Sequence, residues 1–283
     1  MVNQVILTAL DGALLSSVEV GAPIEVTQTA AQGDLTKIVE SDYKSLREAI
    51  AQLKASDVPV VVFTQRDRVE IEPIRQQLGL TSPFIVESGS AIFASANQHP
   101  FGPGVGETED GYFVVTLGCP YVQARAGLRV LANMISHPLK GFGDFTVPQL
   151  EKSAKLSETA AHQAKAREFS ELFMTPKAIE RELLRQAAED MGFEVILREP
   201  KESRFSELLG AGAGLPAAVK ELLSAYQSLE AGEALQVIAV SSRSADLAAL
   251  AKVKRELDIE DWKEVLVDGH EAWVEAIAPL LPN

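Results

Sequence analysis

Two short segments of the sequence combine residue types that could bind an anionic or hydroxylated small molecule. One is Ala166-Arg167-Glu168-Phe169-Ser170-Glu171, which places an arginine beside carboxylates and a hydroxyl. A guanidinium can hold a carboxylate through two parallel hydrogen bonds, and carboxylates accept hydrogen bonds from sugar hydroxyls. The other segment is Gly141-Phe142-Gly143-Asp144. The simpler alternatives are an exposed helical ion pair between Arg167 and Glu168, and a tight turn at Gly141 to Gly143.

The overall charge limits the classes of partner. The formal net charge is −14 and the pI is about 4.8. Such a chain repels polyanions and has no basic stripe to neutralise nucleic-acid phosphates, so we expect no nucleic-acid partner. A small anionic sugar metabolite stays possible, because a local arginine cluster or a helix N-terminus can bind a phosphate against an adverse overall charge. A protein partner and the oligomeric state are left open.

Neither a membrane span nor a secretory signal is expected. No stretch approaches the roughly 18 to 20 uninterrupted apolar residues that a span needs, and Met1-Val2-Asn3-Gln4 lacks a basic start. The single cysteine, Cys119, excludes an internal disulfide and a cysteine-built metal site. The histidines share no metal-ligand spacing. We therefore expect a cytoplasmic protein.

The elements that position these residues alternate between strands and helices. Val5 to Leu10 is an apolar run that breaks at Asp11-Gly12, which is typical of a strand buried on both faces of a parallel sheet. A helical pattern starting at Ser41 and an apolar strand, Pro59 to Phe63, complete a β-α-β unit. The later pattern predicts strands at 83–86, 112–117, 194–198, 236–240 and 264–267, and helices at 70–78, 122–135, 176–191, 216–226 and 245–252.

This order predicts an α/β fold with a doubly wound parallel sheet. We expect a core domain made of residues 1–92 and 205–283, and an inserted α/β cap domain at 93–204, where the composition becomes richer in glycine and proline at its start. The segment from Ser17 to Glu40 has no assignable structure and could be a hairpin or a mobile flap.

The motifs and their order resemble a known superfamily. The segment from Leu7 to Leu15, LTALDGALL, resembles the first motif of the haloacid dehalogenase (HAD) superfamily, an apolar strand ending in Asp-x-Asp-Gly-Thr-Leu-Leu. The segments Thr64 to Glu70 and Phe84 to Ile92 are similar to the second motif and following strand of mannosyl-3-phosphoglycerate phosphatases. Leu139 to Asp144 and Ala166 to Glu171 are similar to the cap signatures of that family. The resemblance spans nearly the whole chain and implies a Rossmann-like core with an inserted cap.

The resemblance also implies a chemistry that must be checked position by position. In the family, the first aspartate of the first motif attacks phosphorus, and this position is Ala9. The second aspartate, the general acid/base, is retained as Asp11. The third-motif lysine aligns with Leu215. In the fourth motif Ser242 replaces a metal-supporting carboxylate, and only Asp246 survives as a vestigial metal residue. Because magnesium prefers oxygen ligands anchored by carboxylates, we expect no cofactor, with magnesium required only if activity remains.

Ligand recognition is expected to survive better than catalysis. By the resemblance, Thr64 and Arg68 of the second motif contact the ligand. The cap contacts are Gly141, Phe142, Gly143, Asp144, Arg167, Glu168, Ser170 and Glu171. We also suggest that Arg243, in the loop where the family holds its metal, supplies a positive charge to a bound anion, although an exposed loop arginine is the simpler interpretation.

Three functions remain open from the sequence. The first is a catalytically degenerate phosphatase homologue that binds a phosphosugar or glycerate metabolite, or a protein partner. The second is an active phosphatase on mannosyl-3-phosphoglycerate or a related sugar phosphate. The third is a scaffold protein that uses the acidic surface and the segment from Ser17 to Glu40.

Overall fold

The computed structural model describes residues 3–15, 43–154, 156–177, 179–198, 204–229 and 234–281. The predicted hairpin or flap at 17–40 lies outside the described residues. Among the helices of the described ranges, none is long and apolar enough to cross a membrane.

Strands and helices alternate along most of the chain, as the sequence predicts. The strands are β1 (Gln4–Ala9), β2 (Val60–Phe63), β3 (Phe84–Val86), β4 (Ala91–Ser95), β5 (Glu107–Glu109), β6 (Tyr112–Thr116), β7 (Ser170–Met174), β8 (Phe193–Ile196), β9 (Phe205–Gly210), β10 (Gln236–Ser241) and β11 (Trp262–Leu266). The helices are α1 (Lys44–Ala55), α2 (Arg68–Leu78), α3 (Tyr121–Met134), α4 (Val147–Ala154), α5 (Glu158–Gln163), α6 (Arg181–Glu189), α7 (Leu215–Leu229), α8 (Ser244–Glu256) and α9 (His270–Ile277).

A large sheet forms the core, in the 8-stranded order β11-β10-β1-β2-β3-β4-β6-β5. It is parallel from β11 to β3 and antiparallel from β4 onward. β1 lies between β2 and β10, where the chain order along the sheet reverses, and open α/β sheets place their ligands outside the carboxyl ends of strands at such a point. Its residues from Val5 to Ala9 are buried. Beneath its end, fully buried Trp273 donates a hydrogen bond to Thr8 Oγ1 over 3.0 Å.

A second, 3-stranded antiparallel sheet has the order β7-β9-β8. Alternate residues of β7 face two separate apolar clusters, as expected for a strand. Leu172 packs with Phe142, Phe145 and Leu150 on the side of α4 and α5. Phe173 packs with Leu128 of α3 and Leu184 of α6 on the other side. The small sheet thus carries its own apolar core.

The change from one sheet to the other does not coincide with the divisions predicted at 93 and 204. β4, β5 and β6 extend the large sheet to Thr116, and β9 at 205–210 belongs to the small sheet. Apolar residues on β4 and β6 pack into the main core, which explains why they stay with the large sheet. Whether the two sheets are separate domains stays a prediction.

Two local expectations differ from the structure. The helix predicted at 176–191 begins only at Arg181 and ends at Glu189. Pro176 is compatible with the first turn of a helix, but here it lies in the connection after β7. Ser170 and Glu171 belong to strand β7, whereas the sequence suggested a loop or a helix for this segment.

The turn after β3 lies against the start of α7. Gly89 has a φ of 95°, and a Cβ at this position would lie 2.2 Å from the carbonyl carbon of Gly214. Glu87 and Ser88, just before it, also have positive φ values, 48° and 57°. The close approach of two backbones therefore fixes the path of the chain between β3 and β4.

Replacing Gly89 with alanine should destabilise the fold strongly, because backbone atoms must move to admit the methyl group. We expect Gly89→Ala to lower the free energy of unfolding by about 3 kcal/mol or more, measured by urea denaturation. Gly79→Ala is the matched control: its φ is 73°, and a Cβ there would meet nothing within 4 Å. The control should cost about 1 kcal/mol. Equal losses in the two variants would contradict this explanation.

Candidate functional site

The carboxyl ends of β1, β2 and β10 bring three predicted residues together. Thr64 donates a hydrogen bond from Oγ1 to Asp11 Oδ2 over 2.9 Å. The Ser242 hydroxyl donates to the backbone oxygen of Asp11 over 3.3 Å. We call this set of strand ends the strand edge. The sequence predicted Asp11 and Thr64 as site residues, and the structure places them in direct contact.

A cation that the sequence did not single out lies at the same place. Arg66 Nε is 2.9 Å from Asp11 Oδ1, and its Nη1 is 3.5 Å from Glu70 Oε2. Its side chain is only 3% exposed. Burial lowers the pKa of Arg66, but Asp11 and Glu70 raise it by more, so the guanidinium stays charged. The only feature of the sequence that could have indicated this contact is the spacing of Arg66 and Glu70, which are four residues apart shortly after β2.

Two of the remaining family positions at the strand edge are apolar, and the third, Asp246, carries a hydrogen-bonded carboxylate. Ala9 is 5% exposed at the end of β1. Leu215 begins α7 and packs partly buried against the main core. Asp246 Oδ2 accepts a hydrogen bond from Ser241 Oγ over 2.8 Å, and its Oδ1 lies 3.9 Å from Arg243 Nη1.

Arg243 is therefore held near Asp246, and the guanidinium that contacts Asp11 belongs to Arg66. Whether Arg243 also contacts an anion stays a prediction.

Arg167 lies where the two sheets meet, and it is buried. Its Nε and Nη2 donate to Ser170 Oγ over 2.9 and 2.6 Å, and its Nη1 donates to the backbone oxygen of Gln65 over 3.1 Å. Nη2 also donates to Glu207, and Nε lies 3.5 Å from Glu87 Oε2. Arg167 therefore joins the loop after β2, the turn after β3 and strand β9.

Glu87 completes this buried cluster from the large sheet. Its carboxylate accepts hydrogen bonds from the backbone N–H groups of Glu168 and Phe169, over 2.8 and 3.1 Å, and from Ser170 Oγ over 2.5 Å. Burial raises the pKa of Glu87, and the charge of Arg167 partly offsets the rise. Glu207 accepts a hydrogen bond from Ser88 Oγ over 2.5 Å. We call Arg167, Glu87, Glu207, Ser170 and Ser88 the buried joint.

The buried joint changes the interpretation of three predicted ligand contacts. Arg167 and Ser170 direct their polar atoms at each other and at glutamates, so Arg167 is not the exposed residue of the simpler interpretation. Whether Arg167 also contacts a ligand stays a prediction. Glu168 does form an ion pair, but with Arg68 of α2, whose Nε lies 2.9 Å from Glu168 Oε1. This second pair is about a quarter exposed and links the segment after α5 to the strand edge.

The cap segment 141–144 is a turn that is tied to β7 and α3. Gly143 N–H donates to Glu171 Oε1 over 2.8 Å, and Asp144 Oδ1 lies 3.3 Å from both Arg125 and Arg129. Phe142 is 1% exposed and packs edge-on against Phe205, so it is a core residue.

A side chain at either glycine of this turn would displace a polar neighbour. A Cβ at Gly141 would lie 2.2 Å from Glu171 Oε1, and one at Gly143 would lie 2.5 Å from the Tyr121 hydroxyl oxygen. Glu171 Oε2 is buried and has no hydrogen-bond partner within the described ranges. Burial raises the pKa of Glu171 and that of Tyr121. The turn, Tyr121, Arg125 and Glu171 thus form a polar group that we call the cap cluster, in which the sequence missed Tyr121 and Arg125.

A cavity of about 550 Å³ lies away from the strand edge, the buried joint and the cap cluster. Its lining includes Ile50 and Asp57 from α1 and the following turn, Val60 at the start of β2, and Tyr226 near the end of α7. It opens at the amino-terminal edge of the large sheet, and none of the predicted site residues lines it.

Removing the cation of the buried joint should destabilise the fold. Arg167→Met leaves two buried carboxylates without their counter-charge, so we expect the free energy of unfolding to fall by about 3 to 5 kcal/mol. Arg185→Met is the matched control, because Arg185 forms an exposed pair with Glu182 and should cost less than about 1 kcal/mol. Chemical denaturation monitored by circular dichroism measures both. Similar losses in the two variants would show that the joint does not stabilise the fold.

Comparisons with solved structures agree with this fold. A haloacid dehalogenase-like hydrolase from Bacteroides thetaiotaomicron superposes with a TM-score of 0.55 at 14% identity, covering 98% of this chain and 99% of that one. A haloacid dehalogenase-like hydrolase from B. subtilis gives a TM-score of 0.52 at 13% identity, covering 98% and 99%. At these identities the likeness shows the fold alone: a Rossmann-like HAD core with a mostly parallel central sheet.

Relatives with similar sequences show which family of the superfamily the chain belongs to. No family model matches the chain. A glucosyl-3-phosphoglycerate/mannosyl-3-phosphoglycerate phosphatase from Persephonella marina is 28% identical over 231 residues, which cover 82% of this chain and 81% of that protein. The mannosyl-3-phosphoglycerate phosphatase of Pyrococcus furiosus is 32% identical over 207 residues, covering 72% and 80%. The chain therefore belongs to the mannosyl-3-phosphoglycerate phosphatase family of the HAD superfamily.

Proposed function

We propose that this chain is a catalytically silent member of its family that binds a sugar metabolite carrying a glycerate group. The observation that carries the proposal is the side chain at the end of β1, where Ala9 stands in place of the family's attacking carboxylate. A methyl group cannot attack phosphorus, and the covalent route through an aspartyl-phosphate is closed.

The neighbouring carboxylate is not a substitute for the nucleophile. Both oxygens of Asp11 are engaged, one by the Thr64 hydroxyl and the other by the Arg66 guanidinium. Hydrogen bonds and a positive charge lower the nucleophilicity of a carboxylate because they stabilise its negative charge. Asp11 also lies two residues past the end of β1, so it cannot take up the position of Ala9 without moving the strand.

A magnesium ion does not fit the residues of the strand edge. Its carboxylate anchors in the family correspond to Ala9 and Ser242, and the Ser242 hydroxyl here donates to the backbone oxygen of Asp11. The positive guanidinium of Arg66 lies 2.9 Å from the one retained carboxylate of the first motif. Within the described ranges, no group of three or more histidine, cysteine or acidic side chains could hold a metal ion. As far as the structure describes it, the strand edge therefore lacks the ligand set of a magnesium site.

The cap cluster supports the binding half of the proposal. Glu171 Oε2 is a buried acceptor that a sugar hydroxyl could satisfy. Arg125 and Arg129 stand beside the turn with side chains 37% and 62% exposed, so they can reach a ligand carboxylate. Arg68 and Glu168 add an ion pair, about a quarter exposed, on the side of the strand edge. These groups would recognise the glycerate and sugar without contributing to phosphate hydrolysis.

An assay of phosphate release tests the proposal. The native chain with mannosyl-3-phosphoglycerate and magnesium should release phosphate at a rate reduced by about 10⁴ to 10⁶ relative to an active family member, because loss of the nucleophile removes the covalent step. The triple variant Ala9→Asp, Leu215→Lys, Ser242→Asp should gain magnesium-dependent activity. The same variant with Asp11→Asn is the control and should stay inactive.

Magnesium-dependent turnover by the native chain that is abolished by Asp11→Asn would overturn the proposal. It would establish instead an active phosphatase that uses another nucleophile.

A further inference from the structure

Both guanidiniums of the strand edge are paired with carboxylates. Arg66 lies between Asp11 and Glu70, at 2.9 and 3.5 Å. Arg243 lies 3.9 Å from Asp246. The three carboxylates outnumber the two guanidiniums, so this edge has an excess of negative charge. Burial raises the pKa of Glu70, yet protonation of Glu70 would only bring the remaining charges to balance.

A phosphate monoester would bring about −1.5 to −2 further charges to this edge at neutral pH. The position that supplies a lysine in the family is Leu215, whose side chain packs against the main core. The N-terminus of α2, which could otherwise donate to an anion, is capped by Asp67: its Oδ1 accepts from Glu70 N–H over 3.0 Å. Arg66 Nη2 is a buried N–H group without a hydrogen-bond partner among the described residues, but the charge of its guanidinium is already paired with Asp11 and Glu70. A phosphate would therefore add to the excess of negative charge at this edge.

A hydroxyl group suits the same edge much better. The side chain of Asp11 is 24% exposed and that of Asp246 is 18% exposed, so both carboxylates retain access to solvent. A carboxylate has about four lone-pair positions and accepts a hydroxyl proton as a charge-assisted hydrogen bond. The groups that repel a phosphate dianion therefore attract the alcohol that remains after the phosphate is removed.

We propose that the strand edge binds a free hydroxyl group of the ligand at the position where the family binds a phosphate. The preferred ligand is then a glycoside of glycerate without a phosphate. This ligand is the product of the hydrolysis that the named relatives carry out, and the chain would bind it without having made it. The inference rests on the proposed function for the contacts of the cap cluster and adds the chemical class that the strand edge selects.

Calorimetric titration of the full chain with two ligands tests the preference. The ligands are mannosylglycerate and mannosyl-3-phosphoglycerate, which differ only in the phosphate. We expect mannosylglycerate to bind more tightly by on the order of tenfold. Added sodium chloride should reduce this ratio, because salt screens the repulsion of the phosphate.

Two lysine substitutions on α7 distinguish the effect of a local positive charge on ligand affinity from the effect of the overall charge. Leu215→Lys restores a cation at the strand edge, at the start of α7, and should raise the affinity for the phosphorylated ligand by on the order of tenfold. Leu229→Lys adds the same charge at the far end of α7, where the leucine is 59% exposed. This control should leave the ratio of the two affinities near its native value.

The possible results distinguish the inference from the proposed function. Tighter binding of the phosphorylated ligand by the native chain would overturn the inference alone, because the cap cluster would still bind the ligand. An equal effect of Leu215→Lys and Leu229→Lys would also overturn it. Binding of neither ligand would overturn the proposed function and the inference together.

Discussion

The structure depends on the buried joint, where Arg167 ties the small sheet to the large one. Taking a guanidinium and two carboxylates out of water costs several kcal/mol per ion, and close pairing and hydrogen bonds must offset this cost. The backbone N–H groups of Glu168 and Phe169, the hydroxyls of Ser170 and Ser88, and the carbonyl of Gln65 supply those bonds. Because Gln65 and Glu87 follow β2 and β3, the joint fixes the position of β7 and the cap cluster relative to the strand edge.

The fold and the chemistry at the strand edge place separate demands on the sequence. The sheet requires buried apolar residues along β1 and the packing of Trp273 beneath it. It does not require a carboxylate at position 9, and an alanine there leaves no buried charge to satisfy. Arg66 and Ser242 then form direct contacts with Asp11, where the family would use a metal ion. Because function resides in the site and not in the fold, the proposed loss of catalysis is compatible with an intact fold.

The sequence predicted the features that depend on local patterns. The apolar run before Asp11 and the alternation of strands and helices give the parallel core, and neighbouring strand ends explain the meeting of Asp11, Thr64 and Ser242. Contacts between distant segments could not be read in this way. Arg167 and Glu207 are 40 residues apart, and Glu168 and Glu87 are 81 apart. An arginine beside acids and a serine looks the same in a ligand site and in a buried joint, because composition does not reveal which partners the fold supplies.

In the proposed function, the guanidinium of Arg66 pairs with Asp11, and the described residues of the strand edge lack the carboxylates that a divalent cation would need. The enhancement of water-proton relaxation by Mn²⁺ measures such a site directly, because a protein-bound ion tumbles slowly and relaxes water faster than a free ion. We predict that the relaxation rate of the native chain rises linearly with Mn²⁺, as it does in protein-free buffer. A saturable component that is lost on Asp11→Asn would show that a cation does bind beside Asp11 and that Arg66 does not exclude it.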